Sequence, residues 1–387
     1  MSEETKKTLA EVGESPEQVA LGTSRRRFLK GGVVATVAAA TPSAAYSSNV
    51  DGNNDNWRVR RNVANISAAE RAEMVQSILH LKSIQSPYTP SLSYYDQFVH
   101  FHQAVVIRSR MEFGYSLGHQ SPAFLPWHRK LLLLFENAVR ANGNPEFALP
   151  YWDWTDASGL ETVFSDEFMG PAVGDPEENY ALTTGPFRKG EFSVNLTSSS
   201  IGRDDPETQC PFDFIARGPT ELSLPTAAEV EALLQVTRYD SPPYNVHADI
   251  STSFRNYLLG KLPRQLHSVP HVWVGGTWDA TVWTDLFEET TTTFVGSMMA
   301  LDCSPNDPCF WIHHCNVDRI WAMWEAKYGA SYEPLTGENP GWNLNDELFP
   351  YTLHKAFPSM MAQGITNASM LDFTSLNYSY EELEIEG

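Results

Sequence analysis

The sequence is poor in cysteine and in basic residues. Four of its 387 residues are Cys, too few for a disulfide scaffold in a chain this long, and no CxxC pair points to a zinc ribbon. Lys and Arg number 27 against 48 Asp and Glu, a net charge of −21. Such an acidic surface repels phosphate backbones, so a nucleic-acid partner is excluded. Outside the N-terminus there is no apolar run of about 18 residues or more, so the mature chain has no membrane span. Internal repeats are lacking too. Apolar residues, by contrast, make up 42% and aromatic ones 12%, with 11 Trp. That is enough for a substantial core, and the length admits two or three small domains or one large one.

The N-terminus reads as an address. Residues 1–23 are polar, and Ser24-Arg25-Arg26-Arg27-Phe28-Leu29-Lys30 then leads into an Ala-rich apolar run from Gly31 to Ala40. Thr41-Pro42-Ser43-Ala44-Ala45 closes it with the small residues a signal peptidase needs. The run is too short to span a bilayer and has the charge–apolar–small order of a signal. The heptad matches the twin-arginine export motif at every position, which implies the twin-arginine machinery as a partner and a periplasmic or extracellular destination. That route carries folded proteins, often with a cofactor in place. The chain therefore divides into a signal peptide, 1–45, and a mature domain, 46–387.

Residues 46–56 form a Ser/Asn/Asp/Gly-rich lead-in. Ser67-Ala68-Ala69-Glu70 is a capping box, and Met74, Ile78 and Leu81 follow at helical spacing. A second helix is expected from about 93 to 110, and a third from Pro126 to a stop near Asn142-Gly143. Residues 155–250 are rich in Gly, Pro, Ser and Asp and should be mostly loops, with one helix over Thr226 to Leu234. Further helices should cover 251–262 and the stretch from Asp307-Pro308, a cap and a first helical position, to about Lys327. The fold class is mainly α: a helical bundle with long loops over its core, where sites are built between facing helices.

A lone His is usually a core side chain with a satisfied hydrogen bond, but the 11 His cluster on these helices. His102 continues the apolar face of Tyr95, Phe98, Val105 and Val106, whereas His100 lies roughly 200° around and points outward. His128 opens the third helix, and His119 precedes it in a Gly/Ser/Pro loop. His267 and His271 share one face if helical, which Pro270 permits only where that helix is just beginning. On the last helix Phe310, His314, Val317, Trp321 and Trp324 form the inward stripe, with His313 about 100° off it. Two inward sets emerge: His102, His119, His128 and His267, His271, His314. Six imidazoles without thiolate or carboxylate suit zinc, copper, iron or nickel. Cys303, Cys309 and Cys315 fit no common metal spacing and read as a structural disulfide or buried thiols.

These residues resemble a family. His119 through Phe124-Leu125-Pro126-Trp127-His128-Arg129 with Glu136 is similar to the first copper signature of tyrosinases. Asp307-Pro308-Cys309-Phe310-Trp311-Ile312-His313-His314 with Asp318 is similar to the second. The likeness extends from Val59 through Pro150-Tyr151-Trp152-Asp153-Trp154 and Phe254-Arg255-Asn256 to Tyr378-Ser379-Tyr380. It implies a type 3 dicopper centre in a four-helix bundle, one copper on each histidine set, with His314 rather than His313 as the last ligand. Two copper ions would engage dioxygen, the co-substrate, and a small phenolic substrate such as an o-diphenol would leave as an o-quinone. Phe310 would pack close to the ligands, a position that fits a plain core role equally. Hemocyanins use the same kind of centre to carry oxygen, but the buried carriers of the molluscan type belong to very long chains.

Several positions depart from bacterial tyrosinases. Those place a water-holding Glu eight residues before the first His of the second set and an Asn directly after that His. Leu259 and Ser268 stand at these positions here. Leu cannot polarise a water, so the resemblance implies oxidation of o-diphenols or o-aminophenols rather than hydroxylation of monophenols. Residues 277–297 read as an insertion, either a surface loop or a lid over the pocket. Position 117 is Leu, so the thioether that fungal and plant relatives carry there is absent, and little chain follows Tyr380 to form a shielding domain. Some bacterial relatives need a small copper-loading helper protein; a chain with its own signal has less need of this partner.

Overall fold

The structure, a computed structural model, describes residues 57–197, 210–259, 266–283, 289–351 and 364–383. The segments expected to be an export signal, 1–45, and a lead-in, 46–56, lie outside the described residues. Strand β1 (Arg58–Arg60) pairs in parallel with β4 (Tyr378–Tyr380), so the two ends of the described chain meet. Between them run α1 (Ala68–Ser83), α2 (Tyr94–Gln103), α3 (Ser109–Phe113), α4 (Phe124–Ala141), α5 (Ala157–Val163), α6 (Ala227–Leu233), α7 (Phe254–Leu259), α8 (Ser268–Gly275) and α9 (Cys309–Tyr328). The fold is mainly helical, as the periodicity predicts.

The helix starts follow local chemistry. Ser67 accepts from the Glu70 amide while Glu70 reaches back to the Ser67 amide, the reciprocal box that fixes the start of α1. Thr226 and Glu229 do the same for α6. At α9 the Asp307 carboxylate accepts from the Cys309 amide at 3.0 Å, so Asp307 caps the helix as expected. Pro270 falls in the first turn of α8, where no intrahelical N–H is lost.

Four corrections concern the elements. The second helix does not run unbroken: α2 and α3 are joined by a π-turn over Ala104–Arg108, directly after His102, and the helix extends to Phe113. The Ser109 hydroxyl bonds back to the Val105 carbonyl within this turn, and Gly118 packs on Val105 so closely that a Cβ there would sit 2.9 Å from Val105 Cγ1. The third helix begins at Phe124, two residues before Pro126, because proline is tolerated throughout the first turn. A short helix, α5, stands in the stretch expected to hold only the helix after Pro225; its Asp156 cap accepts from the Ser158 amide. Finally, the 277–297 stretch, read as a surface loop or a lid, carries regular structure: β2 (Thr277–Trp283) pairs antiparallel with β3 (Glu289–Val295). β-Branched threonines favour the extended backbone. Trp278 and Phe294 of the hairpin pack against Phe212, a satellite cluster beside the main core.

The main core is one continuous cluster in which α9 is buried along nearly its whole length. It packs on α4 and α8, while α1 packs on α2 and α4. No helix among the described residues is long and apolar enough to cross a membrane.

Candidate metal centre

The two histidine sets come together inside the bundle, each carried by different elements. His102 lies on α2 and His128 on α4, with His119 in the loop between α3 and α4. Their ligating nitrogens lie within 4.8 Å of one another. The second set is tighter: His267 precedes α8, His271 sits one turn into it, and His314 lies on α9. His271 Nε2 is 3.1 Å from both His267 Nε2 and His314 Nε2, and the last two are 3.4 Å apart. The sets face each other: the His128 and His314 rings stack at 4.2 Å and only 5° from parallel.

Backbone carbonyls fix several of these rings. His128 Nδ1 lies 2.8 Å from the Phe124 carbonyl, His271 Nδ1 2.8 Å from that of Met298, and His102 Nδ1 3.3 Å from that of Asp302. A carbonyl can only accept, so each Nδ1 carries the proton and each Nε2 keeps its lone pair. Of these, His102 Nε2 and His128 Nε2 are buried without a hydrogen-bond partner. His119 Nδ1 has the Ser116 hydroxyl at 3.4 Å. Burial pushes the His102 imidazole down to about 3 and that of His271 to about 4, against partial opposition from those carbonyls. Burial also lowers His119, His128, His267 and His314 well below the usual imidazole range, and neighbouring imidazoles add to it. All six are neutral at pH 7, the form a metal needs. Neutral imidazole nitrogens crowded together in a core, with His102 Nε2 and His128 Nε2 left without a partner, are costly unless a cation sits among them. The donor set therefore fits two closely spaced metal ions, one per trio.

Phe310, on the first turn of α9, is fully buried with its ring 5.3 Å from His102 and 4.2 Å from His314, so it touches both trios. Leu259 ends α7 inside the main core. The adjoining Leu258 carbonyl accepts from the His267 amide at 2.9 Å, which ties the end of α7 to the second trio. Ser268 is half-buried at the start of α8.

One histidine is placed differently from the helical-wheel reading. His313, about 100° off the inward stripe, is fully buried with its ring 4.5 Å from His271, and it joins the second cluster as a fourth donor. Its other face packs on Trp154 at 5.2 Å. Burial does not separate His313 from His314, because every residue of α9 from Cys309 to Ala322 is buried. The four cysteines are buried thiols.

A sequence profile described as the common central domain of tyrosinase matches residues 92–327. A tyrosinase of Streptomyces lincolnensis is 32% identical over 325 residues, 84% of this chain and 98% of that protein. Grixazone synthase of Streptomyces griseus is 34% identical over 348 residues, covering 84% and 99%. In fold, a functional unit of octopus hemocyanin is similar with a TM-score of 0.52 at 19% identity, covering 85% of this chain and 69% of that one.

Proposed function

Because the chain belongs to the tyrosinase family, we propose that it is a two-copper phenol oxidase that converts o-diphenols or o-aminophenols to o-quinones or quinone imines, with dioxygen as oxidant. The observation that carries this is the pair of facing, neutral, all-imidazole trios. His102, His119 and His128 would hold one copper and His267, His271 and His314 the other, with His313 as a packing residue. The copper pair, when bound, supplies the two-electron exchange between the phenol and dioxygen.

The rest is the protein's own work. The Met298, Asp302 and Phe124 carbonyls hold three rings with Nε2 inward, so little rearrangement is needed for metal to bind. Phe310 packs against one ring of each trio, His102 and His314, and so helps to fix their orientation. At Leu259 and Ser268 the chain has no carboxylate to accept the proton of a monophenol. Substrates whose hydroxyls ionise more easily are then preferred. We further propose that residues 1–45 direct export by the twin-arginine route.

Oxygen uptake by the copper-loaded mature protein, with catechol and phenol in parallel, tests the reading. Uptake with catechol alone is expected. Comparable uptake with phenol would make the chain a full tyrosinase and release Leu259 and Ser268 from control of hydroxylation; uptake with neither would leave an oxygen carrier. Leu259→Glu combined with Ser268→Asn should raise phenol turnover relative to catechol turnover, and an unchanged ratio rejects the assignment of those two positions.

A further inference from the structure

The four cysteines are of two kinds. Cys309 and Cys315 have sulfurs engaged elsewhere: Arg217 Nη2 lies 3.3 Å from Cys309 Sγ, and the Cys315 thiol donates to the Leu149 carbonyl at 3.3 Å. Cys210 and Cys303 instead face each other as hydrogen-bonded neighbours. Cys210 Sγ also lies 3.7 Å from the Ser297 hydroxyl. Both thiols are buried, and their segments are already joined: Ser297 N donates to the Ala216 carbonyl at 2.8 Å, and Ala216 N donates to the Ser297 hydroxyl at 3.0 Å. Two sulfurs in hydrogen-bond contact need only a small approach to reach the roughly 2 Å of a covalent link.

The location of Cys303 gives such a link a consequence. The run Met298–Cys303 consists of turns, without a helix or strand to stiffen it. Yet its Met298 carbonyl holds His271 and its Asp302 carbonyl holds His102, one histidine of each trio. At its start Gly275, just after His271, lies so close that a Cβ there would sit 2.5 Å from the Met299 backbone. Ring orientation on both sides of the centre therefore depends on this one irregular segment.

We propose that Cys210 and Cys303 form a disulfide when the folded chain meets dioxygen, and that the bond clamps the segment orienting His102 and His271. The two thiols give up two protons and two electrons, one S–S bond forms, and one dioxygen is reduced to hydrogen peroxide. The loop so closed spans roughly 90 residues, in the range where a crosslink restricts the unfolded chain strongly. The bond stands or falls without reference to copper, whereas the clamp rests on the trios holding it as proposed above.

The test uses the full chain purified under nitrogen with a phosphine reductant, then freed of reductant and divided, one half being exposed to air. Both halves are denatured in iodoacetamide without further reduction and weighed intact and as peptides. The air-exposed half should take up two carbamidomethyl groups rather than four and yield a Cys210–Cys303 peptide pair that reductant separates. Four modified cysteines after air, or a link through Cys309 or Cys315, would overturn the bond. For the clamp, copper release to a chelator should be several-fold slower from the oxidised chain than from the reduced one, with Cys210→Ser matching the reduced chain under both conditions. Equal release from the oxidised and reduced chains would overturn the clamp while leaving the bond.

Discussion

Two buried polar regions share the same helices, adjacent at His128–Arg129 and one turn apart at His314–Asp318, and differ in kind. His128 and His314 belong to the metal centre; their neighbours Arg129 and Asp318 belong to an ionic knot beside it. In the knot Arg129 Nε lies 2.6 Å and Arg60 Nη1 3.0 Å from the Asp318 carboxylate, while Tyr378 and Tyr380 donate to it at 2.7 and 2.6 Å. Glu136 takes Arg58 and Arg60, each at 3.0 Å, and accepts the Leu149 amide. Both carboxylates have opposing charges and donors around them; in the centre neutral nitrogens converge on one another. A buried polar group that is fully paired serves the fold, and one left unpaired beside its like is suited to hold a cation. The knot also joins β1 and β4 to α4 and α9, so the chain's two ends brace the helices that carry His128 and His314.

The sharpest way to break this contrast is to substitute one residue from each region. His128→Leu should abolish oxygen uptake and lower copper from two ions per chain toward one, while changing the stability of the metal-free chain by only about 1 kcal/mol. Asp318→Ala leaves Arg60 with Glu136 and Arg129 with Glu325 but removes the carboxylate that both guanidiniums share, and should cost about 3 kcal/mol, read from denaturant unfolding. If the two losses are alike in stability, the distinction fails.

Acid provides a second separation. Burial works to raise the Asp318 carboxyl, but Arg129 and Arg60 outweigh it and hold it below the ordinary range; Glu136 is held down likewise by Arg60 and Arg58. Their folded values lie below the unfolded ones, so their contribution is present in full above about pH 4.5 and is lost as pH falls through the folded values. Unfolding free energy followed from pH 6 to pH 3 should drop below about pH 4.5, and Glu136→Gln should flatten part of that fall.

Within the centre, His314→Gln should remove one copper, whereas His313→Gln should retain both, as metal analysis would show. Loss of copper in both variants would make His313 a ligand. The smallest effect is expected at Ser116→Ala, where the contact to His119 is long. Copper affinity should weaken by no more than about tenfold.

How much of this was legible without coordinates varies by element. The starts of α1, α6 and α9 were readable because a capping residue acts on amides two or three positions away, an interaction confined to the local sequence. The π-turn after His102 was not, since its shape answers to the close packing of Gly118 on Val105 from another segment. The hairpin at 277–295 hid behind threonines and acidic residues that read equally as loop. That His313 is as buried as His314 was not legible either, since a helical wheel assumes one wet face and α9 has none between Cys309 and Ala322.

By itself the sequence determined the helical class and the family, and it singled out six histidines in two sets, because helical spacing and contiguous motifs are properties of neighbours along the chain. Only the tertiary structure decided that the two sets face each other with His313 beside the second, which carbonyls orient the rings, that Asp318 and Glu136 are paired by arginines from β1 and α4, and that Cys210 meets Cys303. Those contacts join residues far apart in sequence, and only the packing of the core around α9 brings them within reach.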